Sequence, residues 1–348
     1  MPKSKRTKYI VILLGILLCV SFIFDIFLGS VHIPPSEILN ILVGNPSSKT
    51  SWTTIVTEFR IPKAITALLA GSALSVCGLL MQTFFRNPLA GPFVLGITSG
   101  ASLGVAIVIL TAGAVGIDII LLNKLTGKIG TTVAAGAGAG VVLLLIAIVA
   151  RKITSNVTLL ILGLMLGHLI GAFESILKFF STAESLQGYV FWGLGNFGGV
   201  VWNDLFVMIP LIVTGLILSF LISKQLNAML LGDNYATNMG VNIKLVRLLI
   251  IIGGGILGGV ITAFCGPIAF LGIAVPHLTR NLLNESDHKI LIPAVCIVGG
   301  LLALICDIIS QLPGNDQTLP INAVTSLIGA PVVIWIIISQ RNLKASFT

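Results

Sequence analysis

The sequence is poor in charge: only 9% of its 348 residues are Asp, Glu, Lys or Arg, where a soluble domain carries roughly a quarter. With 56% hydrophobic residues and a mean hydropathy of +1.08, the chain is a polytopic membrane protein. Cysteine is also scarce. Cys19, Cys77, Cys265, Cys296 and Cys306 are odd in number, lie in or beside hydrophobic runs and form no C-x-x-C pair, which excludes a disulfide framework and a zinc site. No Walker A loop is present either. The one Gly-Lys pair, Gly127-Lys128, is followed by Ile129 and lacks the upstream glycine, so any ATP-driven work, with its Mg²⁺, belongs to another polypeptide.

Clustered polar groups at membrane depth are missing too, and intramembrane catalysis needs them. The candidates Asp25, Glu174, Lys178 and Asp307 fall near the ends of hydrophobic runs, and Glu174 and Lys178 have the i, i+4 spacing of a helix-end ion pair. His168 stands alone and reads as a packing residue. Gly96-Ile97-Thr98-Ser99-Gly100 has the wrong spacing for a serine nucleophile turn, and no histidine supports it. Gly193, Gly195 and Gly198 spell G-x-G-x-x-G without a preceding strand, so no dinucleotide site is expected.

What the chain has is length of apolar sequence. A membrane helix needs about 20 predominantly apolar residues, and ten runs qualify: 9–29, 62–84, 92–111, 129–149, 157–178, 203–223, 246–265, 267–283, 289–309 and 323–340. The basic N-terminus lacks a small-x-small cleavage site and reads as a retained first helix. With both termini inside, 14 of the 20 lysines and arginines lie on the cytoplasmic side, as short cytoplasmic loops require. The net charge of +8 is therefore topology, and a nucleic-acid footprint is not needed.

The 38 glycines suit close helix packing, as in Gly253-Gly254-Gly255 followed by Gly258-Gly259. A further echo links Gly91-Pro92 with Gly96-Ile97 to Gly266-Pro267 with Gly272-Ile273, the trace an inverted repeat would leave. Outside, residues 30–61 form a long loop with a surface helix over 36–43, and the 179–203 loop carries Trp192 and Trp202 for an interface belt.

Inside, residues 224–247 make the longest polar interruption between apolar runs. There Asp233 is expected to cap a short helix and Gly240 to end it in the left-handed conformation. So short a helix is marginal alone, and with Tyr235, Ala236 and Met239 it calls for a partner surface. A transport subunit that borrows its energy fits these features, and an intramembrane enzyme does not. An ion-driven carrier is the remote alternative, for which a mid-membrane acidic residue is lacking.

Several motifs resemble the FecCD-type permease subunits of ABC importers for iron-siderophores, haem and cobalamin. They are Arg60-Ile61-Pro62-Lys63, Gly71-Ser72-Ala73-Leu74, Gln82 with Arg86-Asn87-Pro88-Leu89-Ala90-Gly91-Pro92, Gly266-Pro267 with Pro276-His277-Leu278-Thr279-Arg280, Leu319-Pro320-Ile321 and Gly329-Ala330-Pro331. The resemblance covers about residues 60–340. It implies a single all-α permease domain of ten helices in the bacterial cytoplasmic membrane, paired with a second, identical or closely related copy as a homodimer or close heterodimer. It also implies two cytosolic ATPase subunits, which bind the ATP and Mg²⁺, and an extracytoplasmic substrate-binding protein.

Residue by residue, the resemblance implies that Gly232, Asp233, Ala236 and Gly240 seat in the ATPase, and that Arg60 and Lys63 meet acidic residues of the binding protein as exposed rim charges. Asn87 and Leu89, with Ser155 and Asn156, are similar to the two cytoplasmic constrictions of the path. Pro88 stops a helix, while Pro276, His277 and Arg280 order the inner end of the eighth span. Members often carry an arginine before the last span, which residues 308–311 do not supply, and Val157 stands where a small polar residue is usual. Iron-siderophore cargo is expected as that of the commoner members. Cobalamin is the alternative, because 195–202 and 319–337 resemble cobalamin permeases, and haem is a further one.

Overall fold

A computed structural model describes residues 3–114, 127–153, 155–311 and 318–345, and the regular structure among them is helical. The expected inner placement of the two termini involves residues 1–2 and 346–348, which lie outside the described residues. Fourteen helices are found: α1 (Lys3–Phe27), α2 (Pro35–Leu42), α3 (Thr50–Phe85), α4 (Ile97–Ala114), α5 (Gly127–Ala150), α6 (Asn156–Phe179), α7 (Ala183–Gly193), α8 (Trp202–Leu221), α9 (Ser223–Leu230), α10 (Asp233–Asn238), α11 (Ile243–Cys265), α12 (Leu271–Leu283), α13 (His288–Ser310) and α14 (Ile321–Ala345).

Seven of these, α1, α3, α5, α6, α8, α11 and α13, are long and apolar enough to cross a membrane, and α4 and α14 contain shorter apolar stretches. The expected eighth span is different. α12 has 13 residues, about 20 Å at 1.5 Å per residue, short of a hydrocarbon core of about 30 Å. The break has a local cause: Pro267 cannot donate to a helical ladder and pushes the residue before it out of the α region. Gly266 (φ 77°) and Phe270 (φ 67°) turn the chain there. The groups freed by the break are satisfied by neighbours, since Asn196 N–H donates to Cys265 O (2.9 Å) and Ala269 N–H to Asn322 Oδ1 (3.1 Å). Irregular backbone at membrane depth survives only when paired in this way.

The bundle is built around α3, which is apolar on all sides and therefore belongs in the interior. From Ala64 to Phe85 most of its residues are buried. The apolar run placed its start near residue 62, yet it begins at Thr50 and passes through a π turn at Ile55–Arg60. Pro62 lies just beyond that turn. In an unbroken α ladder its ring would collide with the carbonyl four residues back, and the widened turn absorbs the mismatch. The loop expected outside over 30–61 is correspondingly shorter, and α2 occupies the place expected for the surface helix.

Small residues let backbones touch across α3. A Cβ on Gly78 would overlap the carbonyl of Gly272 on α12, and one on Gly71 would overlap Gly299 on α13. Gly272 also faces Pro92, so the two Gly-Pro segments that echo each other in sequence pack together beside α3. The Gly253–Gly259 face of α11 meets Cys77 and Met81 of α3 and Leu143 and Ala139 of α5, the small-residue contact its composition called for.

Candidate functional site

At one end of the bundle, α10 sits between α9 and α11. Its six residues are too few for a stable isolated helix, and it is held by its neighbours. Gly240 (φ 82°) closes it, with Gly240 N–H to Thr237 O at 2.9 Å and Val241 N–H to Ala236 O at 3.0 Å. This is the left-handed stop expected of glycine. Ala236 is fully buried, whereas Tyr235 and Met239 are 53% and 61% exposed. α10 thus has one packed side and an apolar face with no cover in the monomer.

The expectation for Asp233 is corrected in one respect. It is the first helical residue rather than the cap: Gly232 (φ 119°) holds the cap position without a side-chain bond. The Asp233 carboxylate is drawn away by two guanidiniums, Arg86 Nη2 at 2.5 Å and Arg247 Nη2 at 2.8 Å. Two ionic partners, each charged on both sides of the bond, outweigh a single cap bond to a neutral backbone N–H. Arg86 was read only as part of a family motif and neither arginine as a partner of Asp233, because nothing local to either marks it as a partner of a residue 147 or 14 positions away.

Arg86 also ends α3. It adopts φ 48°, and Asn87 N–H reaches back to Gln82 O (3.1 Å), a Schellman-type closure with a non-glycine at the left-handed position. Asn87 Oδ1 accepts from Leu89 N–H at 2.9 Å, an Asx turn that carries the chain past the exposed Pro88 and Leu89. Ser155 caps α6 by accepting from Thr158 N–H (3.3 Å), and Asn156 Nδ2 donates to Phe84 O at 2.6 Å. The two expected constrictions therefore lie at the same end of α3, with Asn156 three residues from Asn87 along the chain it contacts.

Pro276 and His277 are buried in α12. Arg280, half-buried one turn later, donates from Nη1 to Gln82 Oε1 at 2.9 Å, while Gln82 Nε2 donates to Ile273 O at 3.1 Å. Next to them His288 bonds Thr83 Oγ1 (2.8 Å) and Asn227 Oδ1 (2.7 Å). Asn227 Nδ2 donates to Asp287 Oδ1 (2.7 Å), which also accepts from Lys289 N–H. These bonds to the charged form hold the Asp287 carboxyl below the ordinary aspartate value. The His288 network was not read from the sequence, where a lone histidine beside an aspartate carries no distinguishing signal.

At the opposite end Arg60 and Lys63 are not free rim charges. Arg60 is 4% exposed and donates to the carbonyls of Ile26 and Phe27, both at 3.0 Å, and to Val31. It closes the end of α1, whose last carbonyls would otherwise be unpaired. Lys63 pairs with Asp307 at 2.8 Å. Gln311 Nε2 bridges Asp307 Oδ2 (2.9 Å) and the buried Asp25 Oδ1 (3.1 Å). A cavity of about 480 Å³ opens beside this cluster, lined by Lys63, Asn196, Phe197, Asp307 and Gln311 among others. The helix-end pair Glu174–Lys178 is present at 3.5 Å.

A polytopic helical bundle with a broken span, a polar mouth at one end and a clamped, half-uncovered helix at the other is the membrane part of a transporter. The chain belongs to the FecCD transport family, whose profile matches residues 17–339, and it is the permease subunit of an ABC importer. It is 34% identical to the vitamin B12 import system permease protein BtuC of Klebsiella pneumoniae subsp. pneumoniae over 340 residues, 97% of this chain and 96% of that protein. BtuC of Salmonella typhi is 35% identical over 286 residues, 82% of this chain and 84% of its own length. Among solved structures, a metal-chelate type ABC transporter in an inward-facing conformation superposes with a TM-score of 0.82 at 26% identity, covering 95% of this chain and 99% of that one.

Proposed function

We propose that this chain forms the membrane path of a cobalamin importer. The observation that carries the reading is the 34% identity, end to end, with a vitamin B12 import permease. Iron-siderophore cargo, expected from the commoner members of the family, has less support. The solved metal-chelate transporter shares the fold at lower identity, 26%.

In this reading two copies of the chain enclose the path in a bacterial cytoplasmic membrane, with both termini and α10 inside. A loaded binding protein docks over the mouth beside Lys63, Asp307 and Gln311. Two cytosolic ATPase subunits bind ATP and Mg²⁺ and seat α10 through Tyr235 and Met239, the exposed apolar residues that flank buried Ala236. Their closure moves α10 as a rigid body. Asp233 passes the motion to Arg86, hence to Asn87 and Leu89, and through Phe84 to Asn156 and Ser155. Rigid-body repacking about fixed bonds is a common way to convert a small shift into a gate movement. The short α12 and the Gly-Pro breaks supply the discontinuous helices typical of transporter paths.

The test is ATP hydrolysis in liposomes holding the assembled importer, with its binding protein loaded in turn with cobalamin, a ferric siderophore and haem. Stimulation by cobalamin alone is expected. Stimulation by the ferric siderophore instead would return the chain to the iron importers.

A further inference from the structure

Beside the Arg86–Asp233 contact, the ends of α3, α9 and α12 and the turn before α13 enclose a cavity of about 260 Å³, lined by Gln82, Thr83, Arg86, Asn87, Arg280 and Ser286 among others. Its polar lining is rich in donors. Arg280 makes one side-chain hydrogen bond, to Gln82 Oε1 at 2.9 Å, and among the described residues no carboxylate pairs with it. Gln82 is fixed in that role, because its amide nitrogen is committed to Ile273 O. Arg86 gives one nitrogen to Asp233, and a guanidinium has five N–H donors. Asn87 uses its amide oxygen within its own turn, which leaves its NH2 as the group available to a ligand.

The carboxylate beside the recess, Asp233, already serves both Arg86 and Arg247, and Arg280 has none. A half-buried cation without a counter-ion is costly unless an anion joins it. A carboxylate would neutralise one of the two arginines, whereas a phosphate carries nearly two charges and several acceptor oxygens suited to the guanidinium fork. We infer that this recess binds a phosphate-class oxyanion, held by Arg280 and Arg86 with donors from Asn87 and the hydroxyl of exposed Ser286. Inorganic phosphate has both properties, and the singly charged phosphodiester of an anionic phospholipid headgroup shares its acceptor oxygens. Either one links α12 to the residue that holds α10, so occupancy competes with Asp233 for Arg86.

The test uses the full-length permease, delipidated in neutral detergent, with radiolabelled inorganic phosphate in equilibrium dialysis. Native mass spectrometry after exchange into phosphatidylglycerol or phosphatidylcholine distinguishes the sources. Saturable phosphate binding is expected, and Arg280→Gln weakens it by at least about tenfold, as loss of a charged hydrogen-bond donor does. Ser286→Asp, a surface change that puts a carboxylate at the cavity mouth, also weakens it, and Lys49→Gln at the far end leaves it unchanged. Retention of phosphatidylglycerol over phosphatidylcholine, displaced by phosphate, assigns the site to a lipid headgroup. Phosphate binding without lipid retention assigns it to the free ion. Equal binding by the wild type, Arg280→Gln and Ser286→Asp, or no binding of either ligand, overturns the inference.

Discussion

Arg86 and Asp233 are joined across 147 residues of chain, so the stop of the central helix and the start of the short helix at the same end move as one unit. Arg247 takes the second carboxylate oxygen at 2.8 Å. Asp233→Asn should abolish both ion pairs. Loss of the partly exposed Arg86 pair should cost about 1 kcal/mol or less, and loss of the Asp233 partner of Arg247, whose side chain is 8% exposed, should add to that. Stimulation of ATP hydrolysis by the loaded binding protein should fall severalfold in the assembled importer, while Asp233→Glu keeps most of it. Unchanged stimulation in Asp233→Asn would show that this contact does not transmit the motion.

Lys63 and Asp307 form the most buried of the described ion pairs, with side chains 14% and 6% exposed. Removing Lys63 leaves Asp307 and Asp25 around Gln311 without the lysine. Lys63→Met should therefore cost about 3–5 kcal/mol, the usual penalty for stranding a buried charge, visible as a lower Tm in detergent. Adding Asp307→Leu should recover much of that loss. A double variant no more stable than Lys63→Met would show that the pair is not the source of the penalty.

Gly78 and Gly136 separate packing from helix propensity. Alanine is the better helix former by about 1 kcal/mol, yet a Cβ on Gly78 meets the Gly272 backbone, while one on Gly136 meets nothing within 4 Å. Gly78→Ala should be destabilised by about 1–3 kcal/mol through overpacking, and Gly136→Ala should be neutral or slightly stabilised in the monomer. Thermal unfolding monitored by size exclusion compares the two directly.

Asp287 predicts an acid limb. Its folded value lies below the ordinary 3.8, chiefly through Asn227 and the Lys289 N–H, with the charges of Lys289 and His288 adding a smaller share. A carboxylate whose value is lowered on folding contributes stability above the unfolded value and loses it as pH falls through the folded one. The Tm advantage of the wild type over Asp287→Ala should hold down to about pH 4 and shrink below it. A difference that stays constant to lower pH would place the benefit of Asp287 in packing rather than charge. The effect is small, since the group is largely exposed to solvent screening.

Much of the fold was legible in the sequence because membrane helices are specified by a local property, the length of an apolar run. That property placed all ten runs on helices, one of them too short to span, and put residues 224–247 outside the apolar core. Gly240 was legible as a helix stop, since the left-handed position favours glycine whatever surrounds it. α12 was overcounted as a full span because hydropathy does not register the extended segment that Gly266-Pro267 imposes. α3 was undercounted, since Thr50–Thr54 is polar enough to read as loop.

The sequence by itself determined the class: low charge, ten apolar runs, the absence of an ATP-binding loop and the ordered motifs from Arg60 to Pro331 lead to a permease subunit without knowledge of any contact. Only the tertiary structure decided what the charged residues do. It turned Arg60 inward onto the carbonyls of α1, paired Lys63 with Asp307, and gave Asp233 to Arg86 and Arg247 instead of its own helix. The physical reason is that hydropathy and helix punctuation depend on neighbours in the chain, while an ion pair depends on which helix ends meet in space. Those meetings follow from the small-residue crossings at Gly71 and Gly78, where α3 touches α13 and α12 backbone to backbone.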